Sequence, residues 1–493
     1  MSIKETFIQD ILSGYQYKGE KIVLGKAKLD GEVLSEAEIS VALKTMNRHG
    51  LIAGATGTGK TKSLQILAEQ LSLKGVPTLL MDIKGDLSGI AAPGEENKAI
   101  IERQQLLGID YTPMGAPVEF LSLSHEPGAR LRATVTEFGP ILFSKILELN
   151  DTQTGIISIV FKYCDDKGYP LLDLKDIREV LRYLSDDDRG KQELASTYGS
   201  ISKASLGTIL RKIVTLEQQG ADRFFGEPSF DVNDLLKTKD EKGVVSIIRL
   251  TDIQDRPSLF STFMMSLLAE IYESFPETGD PDKPKLVIFI DEAHLIFKEA
   301  SKTLLDQMET MVKLIRSKGV GLFFCTQVPG DVPDGVLGQL GLKIQHALRG
   351  FTAKDRKQIQ KAVENYPITS YFKADEVITQ LGIGEAFVTA LNEKGIPTPL
   401  AYTYMRAPLS RMDVLSETEI ETIIGKSELV DKYSQEIDRE SAYEMLTQRL
   451  KTEENPQPAQ PKKPEGRPKK EKSVFETIIT DSTTKSFIRT IGN

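Results

Sequence analysis

The stretch His49-Gly-Leu-Ile-Ala-Gly-Ala-Thr-Gly-Thr-Gly-Lys-Thr61 limits what this chain can fold into more than any other. A short apolar run, Leu51 to Ala53, enters Gly54-Ala55-Thr56-Gly57-Thr58-Gly59-Lys60-Thr61, which fits G-x-x-x-x-G-K-[ST], and a run of helical period follows at once. Gly54, Gly57 and Gly59 let the backbone fold tightly enough to aim successive N–H groups at one anion. The next helix adds its dipole and its free N–H groups. The expected ligand is a nucleotide held by residues Gly54 to Lys62, with Lys60 reaching the β- and γ-phosphates and Thr61 offering its hydroxyl to Mg²⁺. The competing reading, a glycine-rich turn that matches by chance, leaves the strand before it and the helix after it unexplained.

A parallel sheet is the natural setting for that motif. Leu64, Leu67, Ala68 and Leu71 lie on one helical stripe that ends at Gly75 before Pro77, and Thr78-Leu-Leu-Met-Asp82 reads as a second buried strand. A β-α-β unit is thus complete near the start of the chain. Further strands are expected at Val118 to Leu123, Gly243 to Leu250, Leu286 to Ile290 and Gly321 to Cys325, with helices over Leu259 to Tyr272 and Thr303 to Arg316. Glu385 to Leu391 and Thr398 to Tyr404 read as a closing hairpin. Asn150 or Asp151 is placed to cap a helix, and Ser416 with Glu419 makes a capping box. The fold class is α/β, with a mostly parallel central sheet, a helical insertion and a C-terminal helical extension.

Five segments follow from this pattern: a short N-terminal segment (1–48), a core (49–405) with a helical insertion at about 139–240, C-terminal helices (406–450), a Pro- and Lys-rich disordered linker (451–472), and a tail peptide (473–493). A length of 493 residues suits two to four domains. The net charge of −9 gives no general invitation to nucleic acid, so any such contact needs a local basic lining. The basic run from Lys462 to Lys472 has two readings, a solvated tether and an arm that gathers DNA. Cys164 and Cys325 lie far apart and the four histidines are scattered, so no zinc site is expected. No apolar run approaches a membrane span and Met1-Ser-Ile-Lys-Glu5 is unlike a signal peptide, so the expected setting is the cytoplasm, away from the membrane.

In an open parallel sheet the ligand crevice lies at the carboxyl ends of the strands. Four such ends carry polar residues: Gly54 with its loop, Asp82, Asp291-Glu292, and Thr326-Gln327. An acidic pair after five buried apolar residues is the Walker B pattern. Asp291 would hold Mg²⁺ through its water shell, and Glu292 would orient or deprotonate the attacking water. Gln327 has two readings, a sensor of the γ-phosphate or its water and a plain loop residue. Asp82 and Asp86 stay open between a Mg²⁺ or water contact and a turn cap. Arg316 and Arg349 are candidates for an arginine finger, whose planar fork spreads charge over transition-state oxygens.

Taken together, several motifs resemble the HerA-like ATPases of the FtsK–HerA group, closest to the bacterial YjgR-type branch. They are Asn47-Arg-His-Gly50 with the phosphate loop, Met81-Asp-Ile-Lys-Gly-Asp-Leu87, Phe289-Ile-Asp-Glu-Ala-His294, Ile315-Arg-Ser-Lys-Gly-Val-Gly321, Thr326-Gln-Val-Pro-Gly-Asp-Val-Pro-Asp334 and Leu337 to Arg349. The resemblance covers roughly residues 40 to 405. It implies a RecA-like core that uses ATP and Mg²⁺, a homo-hexamer, and a motor that pulls duplex DNA through a central channel. HerA itself carries an N-terminal β-barrel that docks partners, which residues 1–48 are too short to form. An ATP-driven switch that assembles or releases a protein partner uses the same residues and stands beside the motor as a second reading.

Overall fold

The computed structural model describes residues 2–454, apart from Ser124, Ser200, Gln254, Asp255, Asp280, residues 299–301, Phe351, Glu436 and Asp438. The expected linker, its basic run and the tail peptide lie outside the described residues. By internal contacts the chain divides into two units, Met1–Tyr443 and Glu444–Asn493. In the second unit the described part is helical to Glu454.

The first unit is organised on one sheet of twelve strands. In chain order its strands are β1 (Lys21–Leu29), β2 (Glu32–Ala42), β3 (Gly50–Ala53), β4 (Thr78–Asp82), β5 (Val118–Ser122) and β6 (Ala129–Arg130). A separate two-stranded ribbon follows, β7 (Thr238–Lys239) with β8 (Lys242–Gly243). The main sheet resumes with β9 (Val245–Arg249), β10 (Leu286–Ile290), β11 (Val320–Thr326), β12 (Leu342–Gln345), β13 (Glu385–Ala390) and β14 (Ala401–Met405). The spatial order is β2-β1-β14-β13-β12-β3-β11-β10-β4-β9-β5-β6. From β12 to β6 every pairing is parallel; from β12 to β2 every pairing is antiparallel.

The parallel half is buried on both faces, as strands crossed over by helices must be. All residues of β10 and β11 are buried. On one face the helix after the phosphate loop, α1 for this purpose (Lys60–Leu73), sets Leu64, Leu67, Ala68 and Leu71 against Ile52, Leu80, Phe289, Phe323 and Ile344. On the other, Phe297 meets Phe324 with ring centroids 5.5 Å apart. Both helix starts that the sequence marked are capped as expected: Asn150 receives the Gln153 N–H, and Ser416 with Glu419 forms a capping box. Helices fill most of Val135–Gln218 between β6 and β7, the region of the expected insertion. Among the described residues, no helix is long and apolar enough to cross a membrane.

Strands β12 and β2 are among the elements that went unread in the sequence. Strand β12 is only Leu-Lys-Ile-Gln, too short and too mixed to show a period, yet it pairs with β3 along its whole length. Strand β2, with Glu32, Glu36 and Glu38, reads as polar because it lies at the sheet edge. With β1 it joins residues of the expected N-terminal segment to the central sheet through β14.

Candidate nucleotide site

Parallel register brings the four polar strand ends to one edge. Ala53 sits opposite Thr326, Phe324 opposite Ile290, and Ile290 opposite Met81. The chain leaving β3 is then tied to its neighbours. The Gly54 N–H reaches the carbonyls of Thr326 at 3.2 Å and Gln327 at 3.1 Å, and the Ala55 N–H reaches Ala347 O at 2.8 Å. Gly54, Gly57 and Gly59 hold φ of 153°, 78° and 115°, which explains their identity in the loop. Gly54 has a second reason: a Cβ there would fall 2.5 Å from Cβ of His346. That buried histidine lies under the loop, with Nε2 2.8 Å from Ser63 Oγ on α1 and Nδ1 2.9 Å from Glu385 O. Burial pushes its pKa down to about 4, so the ring is neutral, and the nearby Lys60 charge acts in the same direction.

Lys60 opens α1 and folds back over the loop to Ala55 O at 3.3 Å. It is 6% exposed, and burial lowers its pKa. Next to it, Thr61 Oγ1 lies 3.4 Å from Asp86 Oδ2. The two acids that the sequence left open are now told apart. Asp82 is buried and spends its carboxylate on the N–H groups of Gly85, Asp86 and Leu87, a turn cap, while burial raises its pKa to about 6. Asp86 is the one beside Thr61.

Asp291 and Glu292 follow β10, 3% and 4% exposed. Burial first, then the charge of Glu292, pushes Asp291 up to about 7, with Lys84 opposing. Asp291 Oδ2 and Asp86 Oδ1 are buried acceptors with no hydrogen-bond donor. Buried polar atoms are rarely left so. With the Thr61 hydroxyl they make an oxygen set that fits a hydrated Mg²⁺, which keeps several waters and needs only one or two carboxylates. Among the described residues, no three His, Cys, Asp or Glu side chains gather as a metal-holding group, so the protein oxygens offered to the ion are two carboxylates and a hydroxyl.

A family model described as helicase HerA-like C-terminal matches residues 28–490. The chain belongs to that family. A DNA double-strand break repair helicase HerA from Sulfolobus acidocaldarius is 20% identical over 393 residues, which is 79% of this chain and 71% of that one. Among solved structures, the bacterial conjugative coupling protein TrwB, in an unbound form, shares the fold with a TM-score of 0.52 at 15% identity, covering 83% of this chain and 94% of that one. TrwB in complex with a non-hydrolysable ATP analogue, ADPNP, superposes with a TM-score of 0.51 at 16% identity, covering 81% and 99%. The HerA-like chain therefore has the RecA-like P-loop fold.

The remaining expected residues of the HerA-like chain divide by position. Gln327 is exposed at the ligand edge, its carbonyl receiving the Gly54 N–H. Arg349 is exposed at the same edge, two residues past Ala347, and donates to Thr379 O at 2.8 Å. Arg316 is exposed just before β11 begins, at the opposite edge of the sheet. Lys84 and His346 were not singled out in the sequence, although both sit in the motifs that carry the resemblance. Lys84 is a polar residue just past the end of an apolar strand, which is also how an ordinary loop begins, and His346 follows a strand too short and mixed to be read.

Proposed function

We propose that this chain is a Mg²⁺-dependent ATPase that works as a homo-hexameric ring motor on duplex DNA, in the cytoplasm. The observation that carries the ATPase reading is the pair of orphaned buried carboxylate oxygens at the strand-end edge, Asp291 Oδ2 and Asp86 Oδ1, the second on the carboxylate beside Thr61 of the phosphate loop. The loop N–H groups of residues 54–59 and the Lys60 ammonium hold the β- and γ-phosphates, with Lys62 close behind. Thr61 and Asp291 would hold Mg²⁺, with Asp86 beside Thr61, and the ion when bound would offset the charge of the phosphate oxygens. Glu292 takes a proton from the attacking water as it adds to the γ-phosphorus, and the bond to the ADP oxygen breaks. Gln327 aligns that water. Arg349 faces the phosphates from its own chain, and Arg316, at the far edge, reaches the site of the next subunit as a finger.

The motor core in this reading is residues 49–405, with the insertion at about 139–240; residues 1–48 close its antiparallel edge, and 406–450, 451–472 and 473–493 are appended. Support for DNA comes from the family and from the name of the HerA relative. The net charge of −9 keeps a second reading alive, a switch that acts on a protein partner without moving along DNA. One measurement separates them. ATP turnover is expected to rise when duplex DNA is added, and the effect should weaken with salt as phosphate contacts demand. Turnover indifferent to DNA at every salt concentration defeats the motor reading. A particle that stays monomeric by light scattering with ATP and Mg²⁺ defeats the ring.

A further inference from the structure

The turn after β4 is fixed from within. Asp82 receives three backbone N–H groups, from Gly85 at 2.7 Å, Asp86 at 3.1 Å and Leu87 at 3.2 Å, and Gly85 supplies the positive φ of 76° that the turn needs. Lys84 lies inside that turn, so its backbone has little freedom. Strand β4 is hydrogen-bonded to β10, with Met81 opposite Ile290. Lys84 therefore emerges one strand over from Asp291 and Glu292, and its ammonium pairs with Glu292 Oε1. The other oxygen of that carboxylate, Oε2, lies 3.1 Å from His294 Nδ1. Glu292 itself sits at φ 47°, a region that side chains other than glycine seldom adopt, and its side chain is 6% exposed.

These contacts give Lys60 and Lys84 different tasks. Lys60 turns back on the phosphate loop at Ala55 O. Lys84 grips the carboxylate on which water activation depends. Lys–Glu pairs at the surface contribute little, because water competes for both charges. Here the carboxylate is buried and has Asp291, a like charge, as its chain neighbour. With the ammonium gone, that repulsion is free to swing Glu292 away from the direction the attacking water requires.

We infer that Lys84 is a positioning residue for Glu292, holding its carboxylate in line with the water that attacks the γ-phosphate. This rests on the reading of Glu292 as the base. The arrangement also has a consequence for nucleotide affinity. Lys84 acts on the direction of the base, so its loss is felt in kcat and scarcely in KM.

The test uses the full chain, with ATP and Mg²⁺, and four variants. Lys84→Met keeps the aliphatic stem and removes the charge; it should lower kcat by about 10- to 100-fold, the cost of misplacing a reacting group by an ångström, with KM for ATP within about threefold. Lys84→Arg should recover most of the loss. Glu292→Gln should stall turnover, and Lys84→Met added to Glu292→Gln should lower it no further, since the lysine acts through the glutamate. A thermal melt within a few degrees of the parent's excludes misfolding as the cause. Parent-like or raised kcat in Lys84→Met, with Glu292→Gln stalled, overturns the role of Lys84 and leaves the base in place. Additive losses in the double variant, or a loss borne by KM alone, also overturn it. Parent-like turnover in Glu292→Gln overturns both.

Discussion

Glu385 and Asp291 are both buried acids at the ends of strands of one sheet, and their surroundings are opposite. Glu385 begins β13 in the antiparallel half. It receives Lys28 Nζ at 2.6 Å, Tyr402 Oη at 2.7 Å and the Gly382 N–H at 2.7 Å. Burial alone would raise its pKa, but Lys28 and Tyr402 outweigh it and hold the carboxyl below its usual range. Asp291 follows β10 in the parallel half, with Oδ2 unpartnered and its pKa pushed up to about 7. A carboxylate that serves the fold is satisfied by the fold. One left short of donors at the mouth of a phosphate loop is kept for something that arrives from solution.

The largest effect expected from this contrast is on chemistry. Glu292→Gln keeps the shape and loses the base, so turnover should fall by roughly 100- to 1000-fold while ATP still binds and the melt barely moves. Glu385→Gln should do the reverse. It leaves the Lys28 ammonium without its counter-charge and should cost about 2–3 kcal/mol of stability in urea unfolding, with turnover per folded molecule within about threefold. A stable Glu385→Gln protein that has lost its turnover would collapse the distinction between the two acids.

A somewhat smaller effect is expected at Glu69, a buried acid of the satisfied kind inside α1. Its carboxylate takes the N–H of Leu409 at 2.8 Å, the N–H of Ser410 at 3.0 Å and Ser410 Oγ at 2.7 Å. Gln65, one turn earlier, donates to Ser410 Oγ and Arg411 O, each at 2.8 Å, and Lys62 reaches Met412 O. Residues 409–412 are thereby strapped along the helix that begins at Lys60. Glu69→Gln turns one acceptor oxygen into a donor and should lower stability by about 1–2.5 kcal/mol, measured as the shift in urea midpoint. If the loss appears in ATP affinity and not in the midpoint, the strap belongs to the nucleotide site and the contrast must be redrawn.

The parallel half was largely legible in the sequence, because strands buried on both faces must be continuous apolar runs and four of them, β3, β4, β10 and β11, ended at a chemically distinctive residue. Leu286 to Ile290 before Asp291 is the plainest case. The antiparallel half was less so. Strand β2 carries glutamates at a sheet edge, and β12, where the two halves meet, is four residues long. The site itself was legible as a set of residue types, and its interior was not. That Asp82 caps a turn while Asp86 stands by Thr61 depends on a single residue's direction in a tight loop. The Lys84–Glu292 pair joins positions far apart in sequence through strand neighbours, and neither helical nor strand period records such a contact. His346 shows the same limit: its place under Gly54 follows from β12 lying beside β3.

His346 also gives the smallest of the expected effects, one that sharpens what satisfaction by the fold means for a base. It is fully buried between Ser63 and Glu385 O, and burial lowers its pKa from 6.5 to about 4. The folded state thus binds a proton less readily than the unfolded chain does. Whatever stability this histidine confers is fully present above pH 6.5 and is lost as pH falls from there towards 4, because the unfolded chain takes up the proton first. Between pH 7 and pH 5 the loss should be about 1.5–2 kcal/mol. Asp82 and Asp291 titrate with the opposite sign across this range, so the parent's own pH curve mixes the contributions. A difference isolates the histidine. His346→Gln keeps a donor and an acceptor in the same space and removes the titration, while both acids remain. Urea unfolding of parent and variant at pH 7 and pH 5 should show the parent losing about 1.5–2 kcal/mol more than the variant on acidification. Parallel curves would mean that the ring gains its proton within the fold, and that the base under the phosphate loop, like the acids above it, is open to exchange with solvent.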